Sequence, residues 1–292
     1  MTTEKTLRFA FITPFADIDF FVPVQKGMRD AAEQVGVTCK FDGPSGPDMA
    51  GQAECMRRHI AAGVDGIVLN IMDSAVLAPV IKEASDAGIP VVAFNVDDGQ
   101  VPTDRLSAVC QDLREAGRVL GREAAAFVAP GSTVLLLLHD KGISALEARR
   151  EGIMEGLADK QVNWKVLIAG DKERTVEVVT DAINEDPGVN VVLCTGQSDT
   201  EGAGLAVARN FKGQGIEVAG FDLSVGTLEM IQEGTIRFAI DQQPYVQGYY
   251  PVIQLAQYIR YDLIPSDVDA GADVVGQDKA TRVVELSKQN YR

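Results

Sequence analysis

Residues 63–70 read GVDGIVLN, and residues 88–95 read GIPVVAFN. Each stretch begins with a glycine, the residue that most cheaply adopts the left-handed conformation at the end of a helix. A short run of β-branched and apolar residues follows, and an asparagine ends it. A helix that leads into a buried strand in this way is typical of βαβ units, whose strands lie parallel. Both stretches therefore predict a parallel sheet covered by helices.

The same alternation of short apolar runs and longer amphipathic segments covers most of the chain. In the first half it predicts strands at residues 7–13, 38–41, 66–70 and 91–95. In the second half it predicts strands at residues 133–138, 165–169, 191–194 and 218–221. A strand from Phe238, a helix over 245–261 and an apolar segment at 273–275 follow. We therefore expect an α/β fold of two Rossmann-like lobes, each a parallel sheet flanked by helices.

The join between the two halves has no proline-rich or Gly/Ser-rich linker, so a flexible tether is not expected. A strand that crosses between lobes near residues 106–112, with two later crossings, predicts a three-segment hinge. We expect an N-terminal lobe of residues 1–108 and 243–268, and a C-terminal lobe of residues 109–242 and 269–292. Such a hinge permits closure around a ligand.

Composition excludes several classes of protein. The 292 residues include 42 acidic and 27 basic side chains, a formal charge of -15, and no basic block. A nucleic acid is therefore a poor partner, because binding a phosphate backbone requires clustered cations. No apolar stretch approaches the ~18 to 20 residues that span a bilayer, so membrane insertion is not expected. The polar residues before Leu7 do not resemble a signal peptide, which predicts either a cytosolic protein or a chain that begins at a mature N terminus.

Cysteine and histidine spacing offers no metal or hydrolytic site. The four cysteines lie far apart, at Cys39, Cys55, Cys110 and Cys194. Without a Cys-x-x-Cys pair they are interpreted as small buried hydrophobic residues. His59 and His139 have neither the spacing of a metal-ligand pair nor that of a hydrolytic triad. We expect no catalytic residue, no metal and no cofactor.

Polar and aromatic side chains follow the predicted strands at their carboxyl ends, where open parallel sheets bind ligands. The set is Asp17, Asp19, Phe20, Phe21, Asn70, Asn95, Asp97 and Asp98 in the first half, and Ser198, Asp199, Phe221 and Asp222 in the second. Carboxylates and amides pair with hydroxyl groups, and aromatic rings cover C–H surface, so this set suits a sugar. Because Asp and Asn also cap helices, capping is the alternative for each of them.

Six short motifs occur together along the chain. They are Phe20-Phe21-Val22 with Gly27, residues 63–67 leading to Asn70, residues 88–92 leading to Asp97, Arg149-Arg150-Glu151-Gly152, Gly220-Phe221-Asp222, and Asp241-Gln242-Gln243-Pro244. In these motifs the chain resembles the type I periplasmic solute-binding proteins of ABC sugar importers, of the ribose-binding kind. The resemblance covers about Leu7 to Val275. It implies a monomeric periplasmic protein that captures a monosaccharide or sugar alcohol between closing lobes and delivers it to an ABC transporter permease.

That resemblance also implies a set of ligand-binding residues. They are Phe20 and Phe21 flanking the sugar ring, Asn70 and Asp97 in the N-terminal lobe, Arg149, Ser198 and Asp222 in the C-terminal lobe, and Gln242 at the hinge. Arg149 has a physical reason as well, because a guanidinium neutralises carboxylates that closure would bring together and desolvate. A solvated helix position is the alternative for Arg149.

Several positions depart from the family pattern. Ile18-Asp19 stands where the family often has Asn-Pro, and Asp98 stands where it has an arginine. Lys172 aligns near a stacking aromatic, and Ser198-Asp199 replaces Asn-Asp. Asp98 and Lys172 could pair with each other or bind a differently substituted sugar or polyol. We therefore expect something other than a plain ribose pocket, with Asp19, Asp98, Lys172 and Phe221 as further candidate ligand-binding residues.

Two other function classes stay open. The sensor core of a LacI-type transcriptional regulator has the same two lobes, but it needs a helix-turn-helix ahead of them and only six residues precede Leu7. A carbohydrate-active enzyme is the second alternative, because carboxylates in a cleft can serve as acid and base. The sequence has no phosphate-binding loop motif and no evident nucleophile. We therefore expect a binding protein and not an enzyme.

Overall fold

The computed structural model describes residues 5–292, so the polar residues 1–4 used in the signal-peptide argument lie outside the described chain. The chain forms two compact units. The first unit contains the described residues up to Gln111, Gln243–Ala270 and Tyr291. The second unit contains Asp112–Gln242, Gly271–Asn290 and Arg292. Each unit is therefore assembled from separated pieces of chain.

Strands and helices alternate along both units. The strands are β1 (Arg8–Ile12), β2 (Thr38–Asp42), β3 (Gly66–Ile71), β4 (Val91–Asp97), β5 (Ser107–Cys110), β6 (Thr133–Leu138), β7 (Asn163–Ile168), β8 (Val189–Cys194), β9 (Glu217–Phe221), β10 (Phe238–Asp241), β11 (Val268–Asp269) and β12 (Asp273–Gly276). The helices are α1 (Val22–Val35), α2 (Met49–Ala61), α3 (Ser74–Asp86), α4 (Leu113–Ala124), α5 (Ser144–Gly156), α6 (Lys172–Glu185), α7 (Gln197–Asn210), α8 (Val225–Gln232), α9 (Pro244–Tyr261) and α10 (Gln277–Ser287). Each predicted strand overlaps an observed one.

Each unit contains one six-stranded sheet. In the first unit the strand order is β11-β5-β4-β3-β1-β2, and every neighbouring pair is parallel. In the second unit the order is β12-β10-β9-β8-β6-β7, and β12 alone runs antiparallel to its neighbour. The predicted fold class, two Rossmann-like lobes of parallel strands and flanking helices, is confirmed.

The central strands are buried on both faces, as helices on both sides of a parallel sheet require. All six residues of β3 are buried. Ile67 and Leu69 pack with Met56 of α2, whereas Val68 packs on the opposite face with Val24 of α1. The predicted glycine caps are confirmed at the two stretches that define this sheet. Gly63 and Gly88 have φ angles of 65° and 72°, which place them in the left-handed region.

Glycines allow two pairs of helices to touch backbone to backbone. In the first unit, a Cβ atom on Gly248 of α9 would lie 1.9 Å from the carbonyl oxygen of Val24 in α1. In the second unit, a Cβ atom on Gly152 of α5 would lie 2.0 Å from the carbonyl oxygen of Arg114 in α4. Contacts this short leave no room for any side chain. The late helix α9 is thereby packed directly on the first helix of its unit.

Within residues 5–292, no helix is both long and apolar enough to cross a membrane. The longest helix, α9, has 18 residues and packs on its own unit through Gly248 and Leu255.

We expect Gly248→Ala to destabilise the first unit. Because the added Cβ atom would lie 1.9 Å from a backbone oxygen, the cost should fall in the upper part of the ~1 to 3 kcal/mol range for overpacking, above the ~1 kcal/mol that alanine gains over glycine within a helix. Chemical denaturation should show a lower free energy of unfolding. Gly46→Ala is the matched control, because a Cβ atom there meets nothing within 4 Å. Equal stability of the two variants would contradict the close packing of α1 on α9.

Candidate functional site

Buried amides connect the carboxyl ends of three strands in the first unit. Asn70 of β3 donates from Nδ2 to Thr13 Oγ1 at 3.3 Å and to Asn95 Oδ1 at 3.2 Å. Asn95 of β4 in turn donates from Nδ2 to Gln247 Oε1 of α9 at 3.1 Å. Within residues 5–292, the buried Oδ1 of Asn70 accepts no hydrogen bond. The predicted site residue Asn70 is therefore buried, and its Oδ1 atom remains available to accept a hydrogen bond.

The two acids that follow β4 have different surroundings. Asp97 pairs with the guanidinium of Arg105, which also contacts Asp267 at 2.9 Å. Burial raises the pKa of Asp97, although Arg105 acts in the opposite direction. Asp98 instead accepts a hydrogen bond from the backbone N–H of Ser74, the first residue of α3, at 3.0 Å. Asp98 therefore caps the start of α3, whereas Asp97 belongs to an ion-pair cluster with Arg105 and Asp267.

The two adjacent phenylalanines differ in exposure. Phe21 is fully buried, with its ring centroid 5.4 Å from that of Phe41 and 6.1 Å from that of Phe94. Phe20 packs against Phe21 edge to face at 5.1 Å and is only partly buried. Phe20 therefore offers ring surface to solvent, whereas Phe21 belongs to the core. Asp19, which precedes them in a short 3-10 turn, is exposed.

In the second unit, a buried guanidinium joins three of the predicted site residues. Arg149 of α5 is only 3% exposed, and its Nη1 lies 3.4 Å from Asp222 Oδ2. The same nitrogen donates to the carbonyl oxygen of Thr195 at 3.0 Å. Gln242 donates from Nε2 to Asp222 Oδ1 at 2.6 Å. Each oxygen of the Asp222 carboxylate therefore has a polar neighbour, and the charge of Arg149 is balanced.

Phe221 packs against the guanidinium group of Arg149. Its ring is fully buried and lies 4.2 Å from the guanidinium carbon of Arg149, a cation–π contact. The next residue, Asp222, has a φ angle of 68°. Asp and Asn are the residues other than glycine that most often adopt this left-handed conformation. The side chain of Asp222 is therefore aimed by its backbone as well as by its partners.

The remaining predicted residues of the second unit lie on α6 and α7. Ser198 is half-buried in the first turn of α7, and Lys172 lies exposed at the start of α6. Lys172 pairs with Glu201 at 3.1 Å. Lys172 and Asp98 thus each have a partner within their own unit, so an ion pair between them is not needed to satisfy either.

His139 was not among the predicted site residues. It follows β6 directly, and its Nδ1 lies 3.5 Å from Asp199 Oδ1. Asp199 is fully buried and accepts from the backbone N–H of Thr195 at 2.7 Å through its other oxygen. The position of His139 at the carboxyl end of a strand was the available sequence signal. The prediction tested its spacing only against metal sites and triads.

Among residues 5–292, Asp42, Cys55 and His59 are close enough to act as metal ligands, with their ligand atoms all within 4.8 Å of one another. His59 and Lys40 already contact Asp42 Oδ2, at 2.9 and 2.6 Å. Burial acts to raise the pKa of Asp42, but these two partners outweigh it and lower the pKa to about 2. A cation would have to displace Lys40, so we interpret Lys40, Asp42 and His59 as a polar cluster between the edge strand β2 and α2.

Known proteins resemble most of the chain. A family model described as a periplasmic binding protein domain matches residues 9–262. The xylose/arabinose-binding protein of Sulfolobus acidocaldarius is 26% identical over 93% of this chain and 71% of its own length. The ribose import binding protein of Bacillus subtilis is 27% identical over 78% of this chain and 74% of its own length.

A solved structure covers an even larger share of the chain. It is a carbohydrate transporter from Acidothermus cellulolyticus in complex with myo-inositol. It is 30% identical, aligns with 99% of this chain and 100% of its own, and has a TM-score of 0.87. The predicted resemblance is confirmed, and the chain belongs to the periplasmic binding protein family.

Proposed function

We propose that the protein is the solute-binding component of an ABC importer, and that it binds a polyhydroxylated ring such as a pentose or a cyclitol. One observation carries the proposal: the buried set of Arg149, Asp222 and Gln242 at the carboxyl ends of the strands of the second unit. A neutral, rigid set of donors and acceptors recognises hydroxyl groups without requiring a charged ligand.

The buried charges favour ligand binding over a purely structural role. Two charges removed from water gain little net stability, because the desolvation penalty offsets their attraction. Replacing a buried ion pair by a well-packed hydrophobic contact is often neutral or stabilising, so stability alone does not explain the presence of Arg149 and Asp222. A role in ligand binding explains why Arg149 and Asp222 form a buried ion pair here. A guanidinium with several N–H donors fixed by Thr195 and Phe221 is preorganised to bind oxygen atoms.

The first unit supplies the second half of the proposed site. Phe20 offers a partly exposed ring that can cover the C–H face of a sugar, and Asp97 and Asn70 can pair with hydroxyl groups. The spare acceptor on Asn70 would be satisfied by a ligand hydroxyl. We propose that both halves bind one ligand when the units close about the chain crossings at residues 111–112, 242–243 and 270–271.

The ligand class rests on the relatives and on the departures from the ribose-binding pattern. The relative in complex with myo-inositol aligns with 99% of this chain at 30% identity. Asp98 and Lys172 replace the arginine and the aromatic that the pattern contains. Pentoses and cyclitols are therefore the ligands to test first, and Ser198, Asp19 and Phe221 are further positions that would shape the pocket.

Family membership supports the remaining features of the proposal. We propose that the protein acts in the periplasm as a monomer, that its partner is a membrane permease, and that it catalyses no reaction. The names of the relatives favour this function over the sensor core of a LacI-type regulator and over a carbohydrate-active enzyme. The formal charge of -15 gives the surface acidic groups that can attract basic permease loops.

We expect a carbohydrate to raise the melting temperature of the protein, because a ligand that binds only the folded state stabilises it. Differential scanning fluorimetry with myo-inositol, D-ribose, D-xylose, L-arabinose and D-glucose is the measurement. D-alanine and adenosine serve as ligands of other classes. A shift with either of these and none with any carbohydrate would contradict the proposal.

We expect Asp222→Asn to weaken carbohydrate binding by about tenfold or more, because a hydrogen bond to a charged group contributes about 1.5 to 3 kcal/mol. Asparagine tolerates the left-handed backbone and can still accept from Gln242, so the variant should fold with reduced stability. Calorimetric titration with the best ligand of the panel measures the affinity.

Asp186→Asn is the matched control for that variant. Asp186 lies in the turn before β8, at the opposite end of the sheet, where its side chain accepts from the backbone N–H of Gly188 at 3.0 Å. The control should bind as the unaltered protein does. A folded Asp222→Asn variant with the same affinity as the control would remove Asp222 from the proposed site.

A further inference from the structure

His139 approaches the buried carboxylate of Asp199 at a contact that is separate from the ion pair of Arg149 and Asp222. His139 Nδ1 and Asp199 Oδ1 are both buried and lie 3.5 Å apart, and neither has a hydrogen bond of normal geometry within residues 5–292. Buried polar atoms of this kind are rare in folded proteins and need an explanation. A small rotation of the imidazole would bring them into hydrogen-bonding distance.

The second unit is built to hold the imidazole in this place. A Cβ atom on Gly196 would lie 2.8 Å from His139 Nδ1 and 2.9 Å from its Cε1, so only glycine leaves room for the ring. Asp199 is fixed by backbone N–H groups of Thr195 and Gly196 at 2.7 and 3.2 Å. The carboxylate therefore cannot move away, and the imidazole is the group that can adjust.

The two edges of the imidazole face different surroundings. Nδ1 is buried against Asp199, whereas the side chain as a whole is 32% exposed. The exposed edge is therefore the one that carries Nε2. It lies at the carboxyl end of β6, in the same row of strand ends as Thr195 after β8 and Asp222 after β9. This is the side of a parallel sheet where ligands bind.

We propose that His139 is a ligand-contacting residue that binds a ligand hydroxyl through Nε2, and that Asp199 is the positioning residue that holds Nδ1. The inference rests on the proposed function and adds a specificity-determining residue to the same site. An imidazole with one nitrogen held by a carboxylate has a fixed ring orientation and tautomer, which is how orienting groups act on histidine elsewhere. When the ligand hydroxyl binds Nε2, the distance between Nδ1 and Asp199 Oδ1 shortens to that of a hydrogen bond.

Charges around the imidazole determine how the contact depends on pH. Burial alone would lower the pKa of His139, but Asp199 outweighs it, and the charge of Asp222 acts with Asp199, so the pKa is raised. Arg149 acts in the opposite direction. Asp140 and Lys141 are the charged neighbours on the same loop.

Below its pKa the ring is protonated and Nε2 donates a charge-assisted hydrogen bond, which is the stronger kind. Above its pKa, Nδ1 keeps the proton facing Asp199 and Nε2 accepts from the hydroxyl. Affinity should therefore decrease several-fold as pH rises through the raised pKa of His139.

Two substitutions of His139 test the roles of its two ring nitrogens separately. His139→Gln places an amide near the position of Nε2, and His139→Asn places one near the position of Nδ1. We expect His139→Gln to bind the best carbohydrate of the panel within about threefold of the unaltered protein, but without the pH dependence. We expect His139→Asn to lose about tenfold in affinity, since a hydrogen bond to the ligand is removed. Calorimetric titrations between pH 6 and pH 8.5 measure both effects.

His59→Gln is the matched control, because it removes the other histidine of the chain, which lies at the edge of the first unit beside Asp42. It should keep both the affinity and the pH profile. With only two histidines, the imidazole proton resonances can be assigned from these variants by NMR. Addition of the carbohydrate should raise the pKa of His139 and leave the resonances of His59 unchanged, and Asp199→Asn should lower the pKa of His139.

The outcomes distinguish this inference from the proposed function. If the unaltered protein binds a carbohydrate, and His139→Gln and His139→Asn bind it with the same affinity and the same pH profile, the inference is wrong and the proposed function stands. If no carbohydrate binds to the unaltered protein, the proposed function fails and the inference fails with it. A ligand-induced shift of the His139 resonances that disappears in Asp199→Asn supports the role of both residues.

Discussion

The buried guanidinium of Arg149 is the constraint on which the candidate site depends. A charge that is 97% removed from solvent must be neutralised and hydrogen-bonded, or the second unit would lose about 3 to 5 kcal/mol, the cost of an unpaired buried charge. Asp222, the carbonyl oxygen of Thr195 and the ring of Phe221 meet this requirement. These three residues lie at the ends of β8 and β9. The hydrogen bonds and the ring contact that Arg149 of α5 requires therefore depend on where these two strands end. The polar groups of the site are thereby positioned before any ligand is present.

In each unit, one residue in or directly after a central strand adopts a left-handed backbone conformation. Asn95 of β4 has a φ angle of 64°, and Asp222 after β9 has one of 68°. In a strand every second side chain points to the same face, so a residue forced into the left-handed region leaves that alternation and directs its side chain elsewhere. In both units the redirected group is a short polar side chain that bonds to a glutamine, Gln247 for Asn95 and Gln242 for Asp222. The strain is local and is offset by hydrogen bonds that only this geometry allows.

The positions of the strands along the chain could be predicted because the information is local. Glycine caps such as Gly63, and β-branched runs such as that of β3, specify a helix end and a buried strand wherever they occur. The type of side chain at the strand ends was also visible, and Arg149, Asp222 and Gln242 do lie together. What could not be predicted depends on packing between distant segments. Phe21 is a core residue and Phe20 is not, although the two are adjacent and identical in sequence. The pairing of His139 with Asp199 joins positions 60 residues apart, and no spacing rule connects them.

Capping and ligand binding, the two explanations for an acid after a strand, can now be separated by what each carboxylate accepts. Asp48, Asp73, Asp112 and Asp171 each accept from a backbone N–H three residues ahead, and Asp98 accepts from the first residue of α3. Asp97 and Asp222 accept from side chains and cap no helix. A cap is satisfied by its own helix and has little left to offer a ligand. A carboxylate held by a guanidinium keeps lone pairs that hydroxyl groups can use. The acids that follow strands therefore fall into two groups: those that start helices of the βαβ fold, and Asp97 and Asp222, whose carboxylates remain available for the proposed recognition of hydroxyl groups.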